Sequence, residues 1–267
     1  MIEVPEFILR GVFGGIFIAI ASCLVGVFLL LKRMVLFGDG FSHIAFGGVA
    51  LGLFLSYFFN FDPYLVAILF SLFSSIGIFL LKEKFKIKND IALGVFFSLA
   101  VALGTIIISL GGGFYSDLHS YLFGNILLLE WQDVILALLI CCVLFLFLYL
   151  FGSQMLFATI DNIGAKVAGI HTSKFDLAFL SLSAILVVLS IRIVGILLAA
   201  SFLILPSATA MIVARSFKQM VLFSILFSIF AVVVGLALSY IFDISSGGSI
   251  VLISILLFFL ISFFTKN

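Results

Sequence analysis

The stretch Phe28-Leu29-Leu30-Leu31-Lys32-Arg33-Met34-Val35-Leu36-Phe37-Gly38-Asp39-Gly40-Phe41-Ser42-His43 decides the fold class. Two long apolar runs meet at the single basic pair Lys32-Arg33, so the chain leaves one greasy segment and enters the next within a few residues. The same alternation continues to the other end. Hydrophobic residues make up 65% of the 267, charged residues 9%, and the mean hydropathy is +1.49. A water-soluble domain carries roughly 25% charged residues, so the bilayer is the main solvent of this chain.

A bilayer-crossing helix needs about 20 apolar residues. Reading apolar runs between charge clusters predicts nine helices, over 9–31, 34–58, 63–81, 91–110, 132–151, 175–191, 194–213, 219–241 and 248–264. The fold class is therefore all-α: a polytopic transmembrane bundle of about nine spans, with eight and ten as the bounds, forming one membrane domain over 1–267. Residues 121–129 are apolar but short, which predicts a re-entrant or interfacial segment. The first apolar run lacks the basic flank and small-residue cleavage site of a signal peptide, and is read as a retained span.

Orientation follows from the cations. Lys32, Arg33, Lys82, Lys84, Lys86, Lys88, Lys166, Lys174, Arg215, Lys218 and Lys266 fall on one side of the nine-span arrangement, against Arg10 and Arg192 on the other. The positive-inside rule makes the first side cytoplasmic, with the N-terminus outside and the C-terminus inside a cytoplasmic (inner) membrane. Acidic residues show the reverse bias: Glu3, Glu6, Asp62, Asp117, Glu130, Asp133 and Asp243 are outer. A negative mouth concentrates cations, although solvation of short loops accounts for the same acids.

Asp39 and His43 carry the chemistry. They stand at i and i+4 at the start of the second span, on one helical face. Counted from the start of that run, His43 falls near the bilayer midplane, where transporters bind substrate. A carboxylate in a membrane helix is costly unless paired or solvated, and Asp oxygen with His imidazole is a ligand set for first-row divalent metals. A structural Asp–His hydrogen bond stapling helices together is the alternative. Gly47, Gly48, Ala50 and Gly52 follow on the same helix and permit close packing.

Other candidates are weaker. Cys23, Cys141 and Cys142 lie in apolar runs without metal-site spacing and read as filler. His119 and Asp117 share an outer loop that could meet an incoming cation, and His171 lies in an inner loop. The inner segment from Asp161 through Ala165 to Gly169 is polar and amphipathic, suiting a soluble partner. Pro206 lies in an apolar run before Arg215 and Lys218 and marks a kink or a helix end. No phosphate-binding Gly-rich loop with Lys-Ser or Lys-Thr is present, so ATP chemistry belongs to another chain. Nothing points to nucleic acid, and the usual intramembrane protease motifs are missing.

Several motifs recur in a known order. They are Lys32-Arg33-Met34 with Phe37-Gly38-Asp39 and Ser42-His43; Asp90 to Gly94; Asp117 with Tyr121-Leu122-Phe123-Gly124-Asn125; and Asp161, Ala165 and Gly169. Val194-Gly195, Leu205-Pro206, Ala208-Thr209-Ala210, Tyr240, Asp243 and Ile250-Val251-Leu252 complete the set. From Gly11 to about Phe258 the chain resembles the permeases of ABC-type zinc and manganese importers (ZnuB-type), in a type II importer-like fold. The resemblance implies a homodimer, a separate ATP-binding-cassette ATPase inside and an extracytoplasmic metal-binding protein outside. It implies no bound cofactor, with Zn2+ or Mn2+ as the cargo. It assigns Asp39 and His43 to a metal site in the pathway; Asp117, His119 and Asp243 are candidate cation contacts by their place in the outer loops. Asp161, Ala165, Gly169, Pro206 and Arg215 then belong to the ATPase-docking face.

Tyr121-Leu122-Phe123-Gly124 favours zinc, while Phe123-Gly124-Asn125-Ile126-Leu127 also occurs in manganese relatives. The family commonly has prolines after the last outer Asp. Here Asp243 is followed by Ile244-Ser245-Ser246-Gly247-Gly248, which predicts a more flexible loop. Manganese or iron transport, a cobalamin- or siderophore-type permease and an intramembrane metal-dependent enzyme are the competing functions.

Overall fold

The computed structural model describes residues 6–59, 61–110, 121–124 and 129–265. Without water to satisfy it, backbone inside a bilayer must bond to itself, and the described residues accordingly form helices and no strand. These are α1 (Glu6–Leu31), α2 (Leu36–Phe59), α3 (Pro63–Phe85), α4 (Asn89–Leu110), α5 (Trp131–Ile160), α6 (Asn162–Val167), α7 (Thr172–Val194), α8 (Ile196–Val213), α9 (Phe217–Phe242) and α10 (Ser246–Thr265). All but the short α6 are long and apolar enough to cross a membrane, giving nine such helices among the described residues. The expected spans match in number and order.

Helix ends follow local chemistry. Asp62 caps α3 by accepting from the Tyr64 N–H, and Pro63 takes the first helical position, where a missing N–H costs nothing. Ser216 caps α9 by accepting from the Gln219 N–H. Helix α5 runs nine residues beyond its expected end at 151, because Gly152-Ser153-Gln154 ends the apolar run without breaking the backbone ladder. The ladder stops at Asp161, whose carboxylate starts α6 instead. Pro206 was expected to mark a kink or an end. It does not end the helix: α8 continues past it to Val213, with Pro206 buried inside.

The chain forms two compact units. The second comprises Leu31–Leu118 and Val143–Val188. Here α2 packs on both α3 and α4, and its glycines set the spacing. A Cβ added at Gly47 would stand 2.5 Å from the Ala100 carbonyl oxygen, one at Gly48 2.9 Å from Ala67 Cα, and one at Gly52 2.5 Å from the Pro63 carbonyl oxygen. Backbone-to-backbone approach of this kind replaces the hydrophobic effect, which lipid abolishes.

The first unit comprises Met1–Leu30, His119–Cys142 and Leu189–Asn267. Helices α8, α9 and α10 pack on one another. The Ser207 and Ser228 hydroxyls donate to the Cys23 and Ala19 carbonyls of α1. A junction of backbones joins residues 122–124, the α7–α8 break and the α9–α10 turn. Gly124 and Gly195 take φ of +70° and +88° there, conformations open to glycine, and a side chain on either would meet the other segment's backbone.

Candidate metal centre

Helix α2 places both predicted ligands on one face within its first turns. Asp39 stands in the first turn, where the helix dipole favours negative charge. His43 follows one turn on, its ring edge-on to Phe97 of α4 with centroids 4.8 Å apart. Counted from Leu36, His43 lies about 10 Å along a helix of about 36 Å, so it sits in the first third of the helix. Gly47 and Gly48 occupy the middle.

The Asp39 Oδ1 and His43 Nε2 atoms are 3.8 Å apart. That is too far for a hydrogen bond, so this pair is not a hydrogen-bonded staple. Zinc binds imidazole nitrogen and carboxylate oxygen at about 2.0–2.2 Å, so the gap is short enough for a single ion to reach both groups. Access is also suitable, with the Asp39 side chain 61% exposed and that of His43 33% exposed. Their neighbour Ser42 is buried, and its hydroxyl donates to the Gly38 carbonyl. Among the described residues no cluster of three or more His, Cys, Asp or Glu side chains forms. Among the described residues the pair thus offers two such ligands.

The remaining candidates are placed separately. Asp117 and His119 lie outside the described residues. Asp243 belongs to the first unit, where it ends α9 in the left-handed conformation with φ of 51°. The loop after it, expected to be loose, is short and tied. The Ile244 N–H donates to the Ser239 carbonyl and the Ser239 hydroxyl to the Ile244 carbonyl. The Ser245 and Ser246 hydroxyls donate to the Phe123 and Ile193 carbonyls. Serine hydroxyls hold this turn where proline was the expected source of stiffness.

In the segment from Asp161 to Gly169, Asp161 is an N-cap, accepting from the Gly164 N–H at 2.8 Å. Gly169, with φ of +80°, closes α6: its N–H reaches the Lys166 carbonyl and that of Ile170 the Ala165 carbonyl, a Schellman arrangement. Ala165 is fully buried, whereas Ile163 and Val167 are 78% and 85% exposed. The apolar side chains α6 presents are therefore these two. Arg215 is exposed just beyond α8, and its N–H is held by the Gln219 side chain. His171 is exposed.

Two ion-pair constellations escaped the sequence reading. Asp176, on α7, accepts from Lys32 at 2.5 Å and from Lys82 at 2.7 Å. Asp133 accepts from Arg192. Their partners lie 59 to 144 residues away in sequence, and only the lone charges on apolar helices hint at them.

Residues 4–265 match the ABC 3 transport family. The chain belongs to that family. It is 30% identical to the manganese transport system membrane protein MntC of Listeria monocytogenes, over 98% of this chain and 92% of that protein. It is 32% identical to the high-affinity zinc uptake system membrane protein ZnuB of Haemophilus influenzae, over 96% of each. A solved structure described as PsaBC from Streptococcus pneumoniae in complex with Fab superimposes with a TM-score of 0.83 at 32% identity, covering 97% of this chain and 92% of that one. The chain is thus an integral membrane permease of a metal-importing ABC system, a transport subunit rather than an enzyme.

Proposed function

We propose that Asp39 and His43 together bind the transported divalent cation, with zinc as the cargo. The observation that carries this reading is the 3.8 Å separation of Asp39 Oδ1 from His43 Nε2, bridgeable by one ion and not closed by a hydrogen bond. The carboxylate offsets the cation's lost hydration, and the imidazole supplies a borderline-soft nitrogen that favours zinc over alkaline-earth ions. Two ligands hold an ion weakly enough to let it pass. In a homodimer a second copy of the pair completes the shell. Manganese is the second reading, supported by similar proteins named for manganese transport.

The charge asymmetry supports an outer N-terminus and an inner C-terminus. Asp117, His119 and Asp243 then face the side from which an extracytoplasmic metal-binding protein delivers the ion. An ATP-binding-cassette ATPase docks inside, on α6 and the Arg215 turn. Asp161 and Gly169 shape α6, buried Ala165 anchors it, and Pro206 lies within the helix leading to Arg215.

The test is uptake by vesicles holding permease, ATPase and binding protein. His43→Ala and Asp39→Asn should each abolish metal uptake while leaving the amount of folded, ATPase-bound permease unchanged. His43→Cys retains a zinc ligand but a poor manganese one, so it should keep zinc and lose manganese. Normal uptake of every metal by the Asp39→Asn, His43→Ala double variant would end the proposal.

A further inference from the structure

A cleft of about 470 Å3 opens where α1 and α3 end and α2 and α4 begin. Its lining includes Lys32, Arg33, Lys82, Lys86, Lys88 and Asp90. Five of these side chains are cationic and one is anionic. Asp176 engages only Lys32 and Lys82. Among the described residues no carboxylate pairs with Arg33, Lys86 or Lys88, and all three are exposed. Three unneutralised cations around one cavity repel each other, at a cost that an anion between them would remove.

The backbone points the same way. Arg33 and Lys86 have φ of 56° and 53°, two of the three non-glycine residues with positive φ among those described. This conformation is uncommon for long side chains. Each residue follows the end of a membrane helix, and the left-handed turn projects its charge at the rim of the same cleft. Asp176 also clamps Lys32 to Lys82, so two residues of the cleft lining are held together.

The surroundings select the kind of anion. Val35, Leu36, Phe85 and Ile91, beside the cationic residues in sequence, are all exposed. On helices of a membrane protein such side chains meet acyl chains. The volume falls within the roughly 300–1,000 Å3 typical of small-molecule sites. Basic pockets between membrane helices suit anionic lipid headgroups.

We propose that this cleft binds the phosphate headgroup of an anionic phospholipid, held by Arg33, Lys86 and Lys88 with its acyl chains against the flanking apolar side chains. The charge asymmetry puts that lipid in the inner leaflet, but the site's chemistry does not depend on orientation or on which metal is carried. Arginine reads phosphate through paired N–H donors, and the two lysines add point charge.

Native mass spectrometry of the delipidated permease in detergent, titrated with phosphatidylglycerol, cardiolipin or phosphatidylcholine, tests this. The anionic lipids should bind about tenfold or more tighter than phosphatidylcholine. The Arg33→Gln, Lys86→Gln, Lys88→Gln variant should lose that preference at an unchanged unfolding temperature. The Arg33→Lys, Lys86→Arg, Lys88→Arg variant should retain it, which separates loss of charge from loss of fold. Equal binding of anionic and zwitterionic lipid, or an undiminished preference in the glutamine variant, would overturn the proposal. Displacement of phosphatidylglycerol by inorganic phosphate at equal concentration would overturn it too, because the site would then serve a soluble phosphate.

Discussion

The Arg192 guanidinium donates through one nitrogen to both carboxylate oxygens of Asp133, at 2.6 Å each. Asp133 also accepts from the Glu130 N–H at the start of α5, and its side chain is only 8% exposed. The pair fastens the beginning of α5 to the last turn of α7 in a place where neither charge reaches bulk water easily. Removing one partner of such a pair leaves a buried charge, at a cost of about 3–5 kcal/mol. Asp133→Leu and Arg192→Met should therefore each lower the unfolding temperature sharply in detergent. The double variant should recover a large part of the loss, since no charge is then stranded. Additive losses in the double variant would show that the pair contributes little as a unit.

Gly47 should tolerate no side chain. Its Cβ would meet the Ala100 carbonyl oxygen at 2.5 Å and the Ala100 Cα at 2.9 Å, so Gly47→Val must push α2 off α4. Overpacking of this kind costs roughly 1–3 kcal/mol, enough to reduce folded yield and to move His43 away from Phe97. Gly94 of α4 is the matched control, because a Cβ there meets nothing within 4 Å. Gly94→Ala should stay within about 0.5 kcal/mol of the parent, measured by thermal unfolding of the purified permease.

Docking on α6 should depend on Ile163 and Val167. Burying such a side chain at an interface contributes about 1.5–3 kcal/mol, so Ile163→Glu or Val167→Glu should weaken ATPase co-purification by at least about tenfold. The same change at Ala165 tests something else. That position is fully buried, and a bulky residue there would dislodge α6 itself. Undiminished ATPase binding by the Ile163→Glu, Val167→Glu double variant would remove this helix from the interface.

Orientation is open to thiol labelling. Cys142 is exposed while Cys23 and Cys141 are buried, so the experiment starts from a Cys142→Ser background. Lys86→Cys and Ile244→Cys lie on exposed turns at opposite ends of the charge asymmetry. In intact cells an impermeant reagent should reach residue 244 and spare residue 86. Labelling of residue 86 alone would invert the topology.

The number and order of membrane helices were legible in the sequence because lipid imposes them. Any chain segment in hydrocarbon must be apolar and must satisfy its own backbone, so composition alone marks the spans. Asp39 and His43 were legible for a related reason: polar groups in such a segment stand out, and a spacing of four residues on a helix is already a statement about space. Family membership was readable from the order of short motifs, and the comparisons bear it out.

What required the tertiary structure were relationships between residues distant in the chain. The place of His43 along its helix depends on where α2 begins, just after the Arg33 turn. Pro206 could have ended a helix, but the helix continues past it. The loop after Asp243 looked loose without prolines, yet hydroxyl donors from Ser245 and Ser246 reach carbonyls on two other segments. Ala165 and Val167, two residues apart on α6, share an apolar character but face opposite ways. Lys32, Lys82 and Asp176 are three unremarkable charges until folding brings them within hydrogen-bonding distance. Periodicity is a local property written along the chain, whereas pairing and burial depend on which helices pack together, and that is settled by side-chain fit across the whole fold.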